Sequence, residues 1–326
     1  MPTDHARKRV LVAGATGRLG GLVDVLLARG HMVHAMTRDP ASSAAARLRD
    51  AGARIVVGDL DDPASLATAA SGIDTVFATG TAHRARPDGE LRHGRNIAAA
   101  AAAAGVSHLV YCSGDGAAPD SPLPLFRVKH QVEEQIRSLP MAHTILAPVY
   151  FMENLFNPWN LPALRAGVFP SPIPVDMPIQ QAAIADIIGL AALAIERPDE
   201  FAGKRITIAS DEPTATRAAD TLSDITGRTF APDQLDASVL GPGLRALFRW
   251  LEQTPHNRRH AGPARPLRRA ELAHLRKMAA LAGSATQKPV PAASMPTWAR
   301  ARPQSGTRPR RATCGSSQPD SGGNLE

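Results

Sequence analysis

Three glycines stand at spacing three within residues 10–27, VLVAGATGRLGGLVDVLL: Gly14, Gly17 and Gly20. A short apolar run, Val10 to Val12, comes before them, and an amphipathic segment carrying Leu22, Val23, Leu26 and Leu27 comes after. Strand, tight turn and helix in that order suit a pyrophosphate. Glycine lets backbone approach more closely than a Cβ allows, and the amides that open the helix face the anion. Thr16, Arg18 and Leu19 would complete the cradle, and the last glycine is expected to let helix pack against strand. The spacing is G-x-x-G-x-x-G, not the commoner G-x-G-x-x-G, so its weight comes from the strand before it and the helix after it.

Further along, single residues fall where such a ligand would reach. Arg38 closes a second apolar run, His31 to Thr37. A cation there suits a ribose 2′-phosphate, whereas an acid would bond a free 2′-hydroxyl, so NADP(H) is favoured over NAD(H). The alternative is a surface arginine paired with neighbouring Asp39. Asp59, followed by Leu60, could accept from an adenine amino group or could simply cap a turn. Thr79, Gly80 and Thr81 would line the ribose, and the basic loop His83 to Arg86 is read as solvated. Ser113 follows the run HLVYC at the end expected to face the nicotinamide. Lys129 lies sixteen residues later, where its ammonium could hydrogen-bond the nicotinamide ribose or stay at the surface. No His, Cys or acidic cluster suggests a metal site.

These residues need elements to position them. Strands are expected at residues 10–12, 31–37, 54–57, 73–77, 108–112 and 143–146. Helices are expected at 41–51, from Asp62-Pro63, across the alanine run 98–104, and at 126–139. Strands alternating with helices at short spacing give a doubly wound parallel α/β sheet with ligands at the carboxyl ends of its strands. After Pro148 the pattern loosens into proline-rich loops, with a helix at 181–196, a strand at 205–208 and a helix at 214–226. This part is expected to close over the site. From His256 the chain is rich in Arg, Pro, Ala, Ser and Gly and is read as disordered, with one possible helix at 269–281.

The chain has 326 residues, 44% of them hydrophobic, and a formal net charge of +7. The charge is unevenly spread. Residues 256–326 hold thirteen Lys or Arg against three Asp or Glu, so the preceding 255 residues are mildly acidic. A nucleic-acid reading would rest on that tail alone, chiefly Arg308 to Arg311, where no aromatics are interleaved for stacking. The N-terminus shows no apolar signal core, and two cysteines support neither a disulfide framework nor a thiolate metal site. A cytoplasmic protein with no membrane partner is expected.

The ordered run of motifs resembles the NmrA-like branch of the atypical short-chain dehydrogenase/reductase superfamily. Its parts are Gly14 to Gly20, Arg38, Gly58-Asp59-Leu60, Tyr111-Cys112-Ser113, Lys129 with Glu133, Leu146-Ala147-Pro148 and Phe151-Met152-Glu153-Asn154, within residues 8–252. The resemblance implies a Rossmann-type NAD(P)-binding domain at 8–150, a small substrate lobe at 151–255 intertwined with it, and the tail at 256–326. It also implies either a hydride-transferring oxidoreductase or a cofactor-sensing regulator that works through a protein partner. Typical members of the wider superfamily use a tyrosine four residues before the lysine as proton donor; here that position is Leu125. Only two tyrosines exist, Tyr111 and Tyr150. Ketone reduction would lack its usual general acid, while a quinone-like or conjugated acceptor gives a stabilised anion that solvent can protonate. Ser113 and Lys129 are the catalytic candidates, Lys129 as general acid or ribose anchor. Pro148 and Tyr150 are expected to shape the nicotinamide pocket, Tyr150 being equally compatible with a core position. Ala147 replaces an arginine frequent in the family. The resemblance ends at Glu252, which suggests an appendage or out-of-frame translation of the gene's end.

Overall fold

The computed structural model describes residues 6–80, 87–236 and 240–254. The possible helix at 269–281, the loop 83–86, the basic run 308–311 and the tail as a whole lie outside them. In the first half, strands and helices alternate strictly: β1 Arg9–Ala13, α1 Gly21–Ala28, β2 Met32–Thr37, α2 Ser43–Asp50, β3 Arg54–Val57, α3 Pro63–Ala70, β4 Thr75–Thr79, α4 Pro87–Ala103, β5 His108–Cys112, α5 Pro124–Arg137 and β6 Ala142–Pro148. The second half holds β7 Tyr150–Phe151, a short 3₁₀ helix Met152–Phe156, α6 Leu161–Arg165, β8 Val168–Ser171, β9 Gln181–Ala182, α7 Ile184–Glu196, α8 Pro198–Phe201, β10 Arg205–Ile208, α9 Ala215–Thr226, β11 Ala231–Gln234 and α10 Pro242–Gln253.

Local chemistry fixes the ends of these elements. Ser42, Asp62 and Thr214 each accept a hydrogen bond from an amide in the first turn of α2, α3 and α9, and Pro63 occupies the first turn of α3, where a missing N–H goes unnoticed. β4 starts two residues later than its apolar run. Asp74 is taken up by Arg9, whose backbone amide and guanidinium both bond its carboxylate. The expected helix at 181–196 begins only at Ile184, because Gln181 and Ala182 extend to pair with Tyr150 and Phe151.

Seven parallel strands form one sheet in the order β10-β6-β5-β4-β1-β2-β3. Alternate residues of β1 face opposite sides: Val10 and Val12 meet Leu22, Leu26 and Ile187, whereas Leu11 and Ala13 meet Ile97, Val132 and Ile136. With both faces covered, the central strands β1, β4 and β5 carry buried apolar residues on both sides, as a parallel sheet requires. The chain winds outward from β1 to β3 and then returns to place β4 on the other side of β1. That reversal opens a crevice at the carboxyl ends of β1 and β4. Two-stranded pairs β7-β9 and β8-β11 and the helices α6, α9 and α10 come from the second half, yet β10 of that half completes the main sheet. Among the described residues, no helix is long and apolar enough to cross a membrane.

Candidate functional site

The turn after β1 is built for close approach. Gly14 has φ +86°, a conformation that strains an L residue, and it faces the Thr79 methyl at the end of β4. Gly17 donates to the Gly14 carbonyl at 2.9 Å and Gly20 to the Gly17 carbonyl at 3.0 Å, so the loop is a chain of short turns. A Cβ on Gly20 would overlap the Ala15 carbonyl oxygen. The expected packing of the third glycine against a strand is therefore corrected. Gly20 is demanded by its own loop, and it is Gly21 that lies against a neighbouring element, at the Ile188 side chain of α7. Thr16, Gly17 and Arg18 are exposed on the rim, and the amides of Thr16, Arg18 and Leu19 have no backbone partner among the described residues. The loop thus fits a pyrophosphate. Leu19 can contribute only backbone, since its side chain is packed into the core beneath. The Arg18 guanidinium is engaged elsewhere: it donates to the side-chain oxygens of Asn154 and Asn157, each at 2.5 Å, and so ties the glycine loop to the segment after β7.

Along the adenosine side, Arg38 is exposed just beyond β2 and makes no ion pair among the described residues. Its neighbour Asp39 instead accepts the Ala41 amide. Asp59 holds a turn through its Oδ1, which accepts the Asp61 amide at 3.0 Å, and Ser65 accepts the Asp59 amide. Leu60 is half-buried, and its carbonyl is held by the Asn96 side chain of α4 at 2.8 Å. Asn96, absent from the residues singled out in the sequence, therefore positions this loop.

At the other end, Thr79 and Gly80 leave β4 beside Cys112 and Ser113 leaving β5. The Gly80 amide reaches the Cys112 carbonyl, and Thr79 stands opposite Cys112 in the β4–β5 register. Burial pushes the Cys112 thiol up to about 11, so it stays protonated and inert. Ser113 and Lys129 are both buried, but they answer to different carboxylates. Ser113 Oγ donates to Glu133 Oε1 at 2.6 Å, and Glu133 Oε2 accepts from Arg137 and Arg205 at 2.9 and 3.0 Å. Lys129 Nζ donates to Glu90 Oε1 of α4 at 2.6 Å. The carboxylate four residues ahead of Lys129 on its own helix is thus committed elsewhere. Lys129 shares the buried face of α5 with Val132 and Ile136, a spacing visible in the sequence that implies a buried ammonium and hence a buried counter-charge.

Phe126, three residues before Lys129 on α5, shares a neighbour with the lysine stem. Gly114 sits against both the Lys129 stem and the Phe126 ring, and a Cβ on Gly116 would overlap that ring. Phe126 packs on Trp250 of α10 with centroids 5.1 Å apart, and Tyr150 packs edge-on to Phe248 of the same helix at 6.0 Å. Burial raises the Tyr150 phenol to about 12 against the opposing pull of Asn154 and Arg18, so it remains a protonated donor. Tyr111 lies inside β5 with its hydroxyl buried and unpartnered among the described residues, and burial holds its phenol well above the usual range. Leu125 is half-buried in the first turn of α5. Pro148 ends β6, and its carbonyl accepts the Asp115 amide at 3.1 Å. Among the described residues, no cluster of His, Cys, Asp or Glu could hold a metal ion.

Glycine turn, switch-point crevice and parallel sheet define an NAD(P)-binding protein class with a Rossmann-type fold. The chain belongs to the NmrA-like family, whose pattern matches residues 6–250. An NAD(P)H azoreductase of Xenophilus azovorans is 36% identical over 147 residues, 45% of this chain and 49% of that protein, so the match spans about half of that relative's length. The (4-alkanoyl-5-oxo-2,5-dihydrofuran-3-yl)methyl phosphate reductase of Streptomyces griseus is 30% identical over 241 residues, 73% of this chain and 81% of that protein. An NADPH-dependent quinone oxidoreductase from Escherichia coli, solved with NADPH, is similar with 26% identity and a TM-score of 0.61, over 73% of this chain and 86% of that one.

Proposed function

We propose that this protein is an NADP(H)-dependent reductase that passes hydride to a flat, conjugated acceptor of the quinone kind. The observation that carries the reading is the Lys129 ammonium, held by Glu90 beside Gly80 at the carboxyl end of β4, with the Phe126 ring meeting the same glycine, Gly114, as the lysine stem. Tilted and edge-on rings offer aromatic surface to a planar π acceptor, and the ammonium offers donors where negative charge develops on it. The relatives named above are in keeping with that class, since an azo group, a quinone and a 5-oxo-2,5-dihydrofuran are all conjugated systems.

The nicotinamide, when bound, supplies the hydride. The chain's own residues do the rest. Gly14, Gly17 and Gly20 keep the loop low enough for the pyrophosphate, with amides of Thr16, Arg18 and Leu19 as donors. Arg38 meets the 2′-phosphate, and Asp59, Leu60, Thr79 and Gly80 line the adenine and ribose side. Lys129 directs N–H donors at the nicotinamide ribose or the acceptor. Ser113, already donating to Glu133, has its lone pairs left to accept. Pro148 and Tyr150 wall the far end.

NADPH oxidation against a panel of quinones, azo dyes and conjugated carbonyls tests the proposal. Turnover is expected, and Lys129→Ala is expected to lower it by about 100-fold, the usual reach of one positioned proton donor, while NADPH still binds. Tight NADPH binding without turnover on any acceptor would instead support the cofactor-sensing regulator, a reading that Leu125 in the tyrosine position favours, and the search would turn to protein partners.

A further inference from the structure

We propose that Glu90 is a positioning residue for Lys129: the two form one buried unit whose geometry decides where the ammonium meets the nucleotide. The proposal rests on the reading of Lys129 given above and extends it to the α4 carboxylate that holds it.

Glu90 has no solvent exposure, and its Oε1 lies 2.6 Å from Lys129 Nζ. A carboxylate at that depth is costly unless paired, and among the described residues Lys129 is its ion-pair partner. Oε2 of the same group is buried and has no partner among the described residues. The lysine has no second carboxylate within reach on its own helix, since Glu133 is taken by Ser113, Arg137 and Arg205. An ammonium has three donors, and Glu90 takes one, which leaves two for a ligand and fixes their direction. Gly80 completes the unit. A Cβ there would overlap Glu90 Oε1 and sit 2.6 Å from Lys129 Nζ, so the end of β4 must be glycine for the pair to close beneath it. Three elements, β4, α4 and α5, thus meet at a single charge pair, and the crevice-lining backbone of Gly80 lies directly on it.

A double-mutant cycle on the full-length protein decides the matter, using Glu90→Gln, Lys129→Met and both together. NADPH dissociation constants from nucleotide fluorescence, kcat with a quinone acceptor, and melting temperature are read for each. Glu90→Gln is expected to weaken NADPH binding or slow turnover about ten-fold, the scale of coupling between residues in direct contact. In the Lys129→Met background the same change should have no further effect on either. An effect of Glu90→Gln that persists undiminished in that background, or appears only in the melting temperature, overturns the proposal. If Lys129→Met alone moves neither binding nor turnover, the reading of Lys129 itself fails; if Lys129→Met acts and Glu90→Gln does not, only the positioning role fails. Should the wild type turn over no acceptor, the NADPH constants alone close the cycle. Should Glu90→Gln not fold, Gly80→Ala replaces it: it keeps both charges but displaces their tips, and its effect on NADPH binding should likewise vanish in the Lys129→Met background.

Discussion

Arg38 stands exposed beyond β2 and makes no ion pair among the described residues, so removing it breaks none. Arg38→Ala should weaken NADPH binding about 10- to 100-fold, the range of a hydrogen bond to a charged group, and leave the melting temperature and NADH binding unchanged. Equal effects on both nucleotides, measured by titration, would mean that the guanidinium does not read the 2′-phosphate. The glycine turn was legible in the sequence because its chemistry is local: a strand end, a turn and a helix start. Glu90 was not, because no spacing links it to Lys129, 39 residues away. On the sequence alone Lys129 is free to stay at the surface; the apolar rhythm that it shares with Val132 and Ile136 is the signal of its burial. The two separate carboxylates that hold Ser113 and Lys129 emerge only from packing.

At the scale of elements, α10 is where pattern reading stopped short. Leu244, Leu247, Phe248 and Leu251 recur at helical spacing, yet no element is assigned from the sequence between residues 226 and 256. What gives α10 its role is distant: Phe248 and Trp250 find their partners in Tyr150 and Phe126, about a hundred residues earlier along the chain. β5 and β10, in contrast, have the bounds that their apolar runs announced, whereas β7 and β9 are two residues each, too short for any rhythm to reveal. If α10 frames the acceptor, Trp250→Ala should raise KM for a quinone roughly ten-fold, in line with about 1 kcal/mol of aromatic contact, while NADPH affinity holds. Initial-rate kinetics at saturating NADPH would check this. A loss of NADPH affinity instead would place α10 at the cofactor.

For the whole molecule, acid is the informative perturbation. His108 lies buried in β5, with Nε2 2.9 Å from the Thr144 hydroxyl. That hydroxyl donates onward to the Phe201 carbonyl, so Nε2 carries the hydrogen, and the buried Nδ1 has no partner among the described residues. Burial, with the charges of Lys8 and His143, lowers the imidazole from 6.5 to about 4. The unfolded chain takes up this proton near pH 6.5 and the folded chain only near pH 4, so stability is full above that window and falls as pH drops through it. Thermal melts at pH 7 and 5 should show the loss, and His108→Gln, which titrates nothing, should show less of it. An unchanged pH slope in the variant would assign acid sensitivity to another group.

The sheet order also sets a timetable. β10 is the last of the seven strands to leave the ribosome, and it brings Arg205, which grips Glu133 and through it Ser113. A nascent chain that has completed β1 to β6 already owns the glycine turn and the Lys129–Glu90 pair, but the edge of β6 is bare and Glu133 lacks one of its two arginines. Contacts that span so much sequence form late and slowly. The Ser113 corner is therefore completed last: a chain arrested before β10 leaves Glu133 with Arg137 alone, and the strand that braces it is missing.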